Sequence, residues 1–200
     1  MRCDSAPIAD MPLNIPNTLT WARIALIPFF VGIYYLPEAM CSASEKDAIA
    51  TLTFVAAAVT DWFDGYLARS LGQTSAFGAF LDPVADKLMV AAALIVLVHL
   101  DRVDALIALV IIGREITISA LREWMAKVGA SASVAVAFVG KLKTAAQMSA
   151  IPLLLWQQPL MGMDGRQLGT ALIYVAAVLT LWSMGYYMRC ALPELTKRGM

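Results

Sequence analysis

The sequence predicts an all-α polytopic membrane protein, with six transmembrane helices behind a short N-terminal interfacial segment. Three observations carry this expectation. Of the 200 residues, 60% are hydrophobic and 15% charged, and the mean hydropathy is +0.70, which excludes an ordinary soluble domain. The apolar residues fall into six runs long enough to cross a bilayer, joined by short polar links. Four aspartates gather within one such apolar region, and ionisable groups at membrane depth are costly enough to mark function.

Residues 1–18 form a polar arm with Pro7, Pro12 and Pro16, an interfacial stretch near 11–15, and Asn17 or Thr18 as a helix cap. One membrane domain, 19–190, follows. Its first span, 19–36, carries Arg23 and a kinking Pro28. The second and third, 47–70 and 78–100, hold the aspartates. The fourth, 105–125, has Arg114, Glu115 and Arg122, and the fifth, 134–156, has Lys141 and Lys143. The sixth, 168–188, has no charge, and 191–200 is a tail. Six spans put both termini on one side. That side holds Arg2, Arg69, Arg122, Lys127, Arg189, Lys197 and Arg198 outside the spans, against Lys46, Arg102 and Arg166 opposite, so it is cytoplasmic. No cleavable signal peptide is expected, because the first apolar run is long and follows a polar segment.

The central stretch runs from Asp61 to Asp86. Asp61 and Asp64 are three residues apart, Asp82 and Asp86 four, and either spacing puts a pair on one helix face. Asp61, Asp64, Gly65, Ala68 and Arg69 share one side of the first helix, where Gly65 and Ala68 leave room beside the carboxylates for a close-lying ligand. The polar link 70–77 makes the two helices antiparallel neighbours. Asp61 stands eight residues from Arg69, and Asp86 eight from Gly78. Each interval is about 12 Å of helix, so the acids meet at similar depth near the cytosolic face. Four adjacent carboxylates stay ionised only with cations among them. All-oxygen ligands suit Mg2+ or Mn2+, and two such ions balance four charges.

A second constellation lies at the same depth. Counting from the cytosolic interface, Arg114 is about 12 Å deep and Lys141 about 13 Å. Arg122 and Lys143 extend the group below and above. Arg23 serves either lipid or pocket, and the role of Lys87, beside Asp86, stays open. These cations suit a phosphate-bearing substrate, while internal pairing with Glu115 or Glu123 is the competing reading. Cys3, Cys41 and Cys190 show no metal-ligand spacing, and His99, alone in an apolar run, reads as a structural or interfacial histidine rather than a ligand. A formal net charge of zero gives no basis for a nucleic-acid partner.

The spacing D-x2-D-G-x2-A-R-x8-G-x3-D-x3-D resembles, at every position, the signature of the CDP-alcohol phosphotransferase family. Segments 14–23, 57–65, 81–87, 113–124 and 140–147 widen the likeness to bacterial members that join CDP-diacylglycerol to glycerol 3-phosphate. The resemblance implies metal ions on Asp61, Asp64, Asp82 and Asp86. It implies CDP binding by the first two acids with Gly65, Ala68, Arg69 and Gly78, and Asp86 as general base. It also implies a homodimer in the bacterial cytoplasmic membrane, with the active site facing the cytosol. Neither a Cys nucleophile nor a Ser-His pair is apparent, which favours direct displacement. An ion transporter and an intramembrane aspartyl protease are the readings from other classes. The first would show repeated halves, and the second leaves two acids and the cationic spans unexplained.

Overall fold

A computed structural model of the chain describes residues 15–71, 76–127, 137–158 and 164–198, and all their regular structure is helical. The helices are α1 (Ile15–Ile33), α2 (Ala43–Leu71), α3 (Ala76–His99), α4 (Ala105–Lys127), α5 (Ala137–Trp156) and α6 (Gly165–Arg198). Each matches one expected span, with shifted ends. α1 starts ahead of the expected caps Asn17 and Thr18, because a proline in the first helical turn, here Pro16, forfeits no helix hydrogen bond. It continues through Pro28. α6 runs well past residue 188, so the segment read as a tail is helical through Arg198.

Hydroxyls inside these helices are satisfied locally. Thr51, Thr53, Thr60, Thr117 and Thr144 each donate to the carbonyl four residues back, which suits helices in surroundings that offer no water. The start of α2 is a reciprocal cap. The Ser42 amide and hydroxyl donate to Glu45 at 2.8 and 2.7 Å, and the Glu45 amide donates back to the Ser42 hydroxyl. The Ser42 hydroxyl, then its amide, hold the Glu45 carboxyl below its ordinary range.

α3 ends in a Schellman turn, with Arg102 N–H bonding to the Leu97 carbonyl and Asp101 N–H to that of Val98. Asp101 therefore sits at φ 53°, where glycine is usual. The turn aims Arg102 across the bundle. Its guanidinium donates to the Leu154 and Leu155 carbonyls at the end of α5 and pairs with Asp47 of α2 at 2.8 Å. The Tyr34 hydroxyl also donates to Asp47. Arg102 thus ties the turn between α3 and α4 to α2 and α5 at the end of the bundle away from the acids.

Among the described residues, α1 packs along α2 and α3 more extensively than those two pack on each other. α5 lies against α6, α2 against α5, and α4 against α6. The α5–α6 approach depends on Gly169, where a Cβ would come within 2.9 Å of Leu154 Cγ. A continuous apolar core runs from Val103, Leu97 and Leu155 near Arg102 to Phe54, Ala57 and Met89 beside the acids. Large apolar side chains also point outward on several helices: Leu106 is 71% exposed, and Leu52 and Val178 65% each. Such an exterior is unfavourable in water and suited to lipid. By length and composition alone, the segment Gly165–Arg189, of mean hydropathy 1.7, is the one helix among the described residues apolar enough to cross a membrane. α2 to α5 carry the charges of the candidate site within their lengths.

Candidate active site

The second half of α2 and the first half of α3 bear the acids. Asp61 is on α2, and Asp82 and Asp86 are one turn apart on α3. Asp64, Gly65, Ala68 and Arg69 continue along α2, and Gly78 precedes Asp82 on α3. The side-chain placements of these five lie outside the described residues. So do those of Arg122 on α4 and Lys141 on α5.

The helix that closes the site is α1. Thr20 and Arg23 share one of its faces, three residues apart. The Thr20 hydroxyl donates to Asp82 Oδ1. Arg23 Nη1 lies 2.6 Å from Asp61 Oδ1. One helix outside the acidic signature thus grips both of its halves. Arg23, expected with lipid or acceptor, stands at Asp61. Arg23, Asp61 and Asp86 line one small cavity of about 10 Å³, walled by Phe54, Met89 and Met148. Asp86 is within electrostatic reach of Asp61, Arg23, Glu115 and Lys87.

Glu115 links the acids to the cations of α4 and α5. Lys143 Nζ pairs with Glu115 Oε1, and Arg114 Nη1 lies 3.2 Å from the same oxygen. Arg114 Nη2 also donates to Ser183 Oγ of α6 at 2.9 Å. Both cations are buried. Arg114 and Lys143 thus show the pairing with Glu115 that the competing reading required, while the Lys141 side chain, read as level with Arg114, lies outside the described residues. The sequence reading did not single out Ser183, nor Thr20 as a site residue. For Thr20 a signal existed, since it lies one turn before Arg23 on the same face. For Ser183, on a span without charges, there was none.

The donor set fits a hard divalent cation, because Asp61, Asp82 and Asp86 offer only oxygen. Among the described residues, no three His, Cys, Asp or Glu side chains form a group ready to hold an ion. Asp61 and Asp82 instead have Arg23 and Thr20 as partners.

A family model described as CDP-alcohol phosphatidyltransferase matches residues 13–182. The chain belongs to the CDP-alcohol phosphatidyltransferase family. In bacteria that family is one of membrane enzymes, and it generally depends on divalent metal. The chain is 52% identical over 187 residues to a protein of Pectobacterium atrosepticum named CDP-diacylglycerol–glycerol-3-phosphate 3-phosphatidyltransferase. The match covers 92% of this chain and 98% of that one. Relatives of the same name from Sodalis glossinidius and Escherichia coli (strain K12) are 53% and 51% identical, again over 92% of this chain and 98% of theirs. As a CDP-alcohol phosphatidyltransferase the chain is an enzyme, and the matched residues 13–182 include Asp61 of α2 and Asp82 and Asp86 of α3.

Proposed function

We propose that the chain transfers the phosphatidyl group from CDP-diacylglycerol to glycerol 3-phosphate, giving phosphatidylglycerol phosphate and CMP. The observation that carries this reading is the 51–53% identity to transferases of that name across nearly the whole chain. The geometry supports it, because Asp86 is within electrostatic reach both of Asp61 and of Glu115, the carboxylate that pairs with Lys143.

Asp61, Asp64, Asp82 and Asp86 would hold Mg2+ or Mn2+, two ions by charge balance. Bound there, the metal would offset charge on the pyrophosphate as CMP leaves. Gly65, Ala68, Arg69 and Gly78 hold the cytidine nucleotide. Arg114 and Lys143, with Lys141 and Arg122, receive the phosphate of the acceptor. Asp86 takes the proton of the acceptor hydroxyl as its oxygen bonds to the phosphatidyl phosphorus and the bond to the CMP oxygen breaks. The six helices span the bacterial cytoplasmic membrane with both termini in the cytosol. The acyl chains then stay in the bilayer while the head group meets a cytosol-facing site. A homodimer belongs to this reading by family resemblance.

The test is CMP release by purified protein given CDP-diacylglycerol and a panel of alcohols. Glycerol 3-phosphate should be the preferred acceptor, and excess chelator should abolish turnover until Mg2+ or Mn2+ is restored. Faster release with inositol phosphate or serine would reject the acceptor, and full turnover in chelator with metal content verified would reject the metal.

A further inference from the structure

α1 contributes nothing to the acidic signature, yet it supplies the site with a buried cation. The Arg23 side chain is 2% exposed, whereas its partner Asp61 is 43% exposed. The guanidinium is therefore the enclosed end of the pair, and the carboxylate is the end a ligand reaches. Around them, the cavity is walled by Phe54, Met89 and Met148, and the one further charged residue on its lining is Asp86. In such surroundings a guanidinium and a divalent cation on the same carboxylate repel strongly. A buried arginine also loses much when its carboxylate partner is taken away.

We infer that Arg23 competes with the divalent cation for Asp61, so that metal binds tightly only when the phosphates of a CDP-linked donor arrive to take up the charge of Arg23. The inference rests on the reading of Asp61 as a metal ligand. The nucleotide diphosphate brings negative charge to the end of the site where Arg23 stands, which relieves the repulsion and lets guanidinium and metal share the site. Metal and nucleotide then bind with positive coupling, and coupling of this kind is reciprocal, so metal tightens nucleotide binding by the same factor. Arg23 acts through Asp61 and through charge, as a positioning residue. Thr20, on the same face of α1, holds the other half of the acidic pair through a neutral bond and adds no such competition.

The test is Mn2+ binding, read from the electron paramagnetic resonance of free Mn2+, on full-length protein in detergent after chelator treatment, with and without CDP. A charge-assisted pair of this kind corresponds to roughly tenfold or more in affinity. Without CDP, Arg23→Gln should bind Mn2+ about tenfold more tightly than the parent. CDP should then improve its affinity much less than it improves the parent's. Arg23→Lys keeps the charge and should behave like the parent. A merely structural role predicts the opposite sign, with looser Mn2+ binding because Asp61 is no longer held. Unchanged or weaker binding by Arg23→Gln, or an undiminished effect of CDP, overturns the inference. If Arg23→Gln does not fold, Arg23→Met is measured against the same two outcomes. Asp61→Asn separates the two layers of the reading. If it binds Mn2+ like the parent, the ligand role of Asp61 fails and the competition with it. If it loses Mn2+ while Arg23→Gln is unchanged, the competition alone fails.

Discussion

Replacing Arg114 by glutamine removes one charge while keeping most of the length of the side chain, and its consequences divide the two substrates. Arg114 is buried, 3.2 Å from Glu115 and 2.9 Å from Ser183. Neither partner is stranded by the change. Glu115 keeps Lys143, and the Ser183 hydroxyl still donates to the Thr180 carbonyl at 3.0 Å. The structural cost is then about 1–2 kcal/mol, a fall in Tm of a few degrees. The functional cost should be larger. A guanidinium on the acceptor phosphate contributes about 1.5–3 kcal/mol, so kcat/KM for glycerol 3-phosphate should drop roughly ten- to a hundredfold. On the proposed reading the α2–α3 acids bind CDP-diacylglycerol, so its KM should stay within about twofold of the parent's. The assay is the initial rate of CMP release, varying each substrate at saturation of the other, with thermal unfolding recorded on the same preparations. Equal weakening of both substrates, together with a Tm lowered by about 10 °C or more, would show that Arg114 only holds α4 to its neighbours.

Asp86→Asn should slow CMP release by roughly a hundredfold or more while nucleotide binding persists, and parental turnover would remove Asp86 as the base. Arg102→Met takes the guanidinium from the buried Asp47 carboxylate, which keeps the Tyr34 hydroxyl, and frees the α5 carbonyls, so thermal unfolding should show a loss of about 3–5 kcal/mol and a Tm roughly 10 °C lower. Asp101→Gly relieves a left-handed φ of 53° and should raise stability by about 0.5–1 kcal/mol, seen as a higher Tm. Ser42 depresses the carboxyl of Glu45, so the cap contributes its stability above the ordinary carboxylate pKa and loses it as pH falls through the lower folded value. The Tm of Glu45→Gln should accordingly fall less than the parent's on acidification through that window.

The sequence by itself determined the helices and the chemistry. Apolar runs are a one-dimensional property, and the positions of the six expected from the sequence agree with α1 to α6 to within a few residues at most ends. Helical period alone put Asp82 above Asp86 and Arg114 level with the acids, because rise and twist per residue are constants. The helix ends were less legible, since α1 absorbs Pro16 in its first turn and α6 extends through residues whose composition resembles a tail. What only the tertiary structure decided is which helix touches which. The short link between α2 and α3 pointed to direct neighbours, yet α1 packs along both and supplies Arg23 to Asp61 and Thr20 to Asp82. Likewise, nothing along the chain linked Arg102 to Asp47 and the end of α5, or Arg114 to Ser183. The physical reason is that periodicity orients a side chain about its own helix axis but says nothing of the partner across it. That partner is chosen by how all the helices fill space together, down to the single methyl that Gly169 lacks.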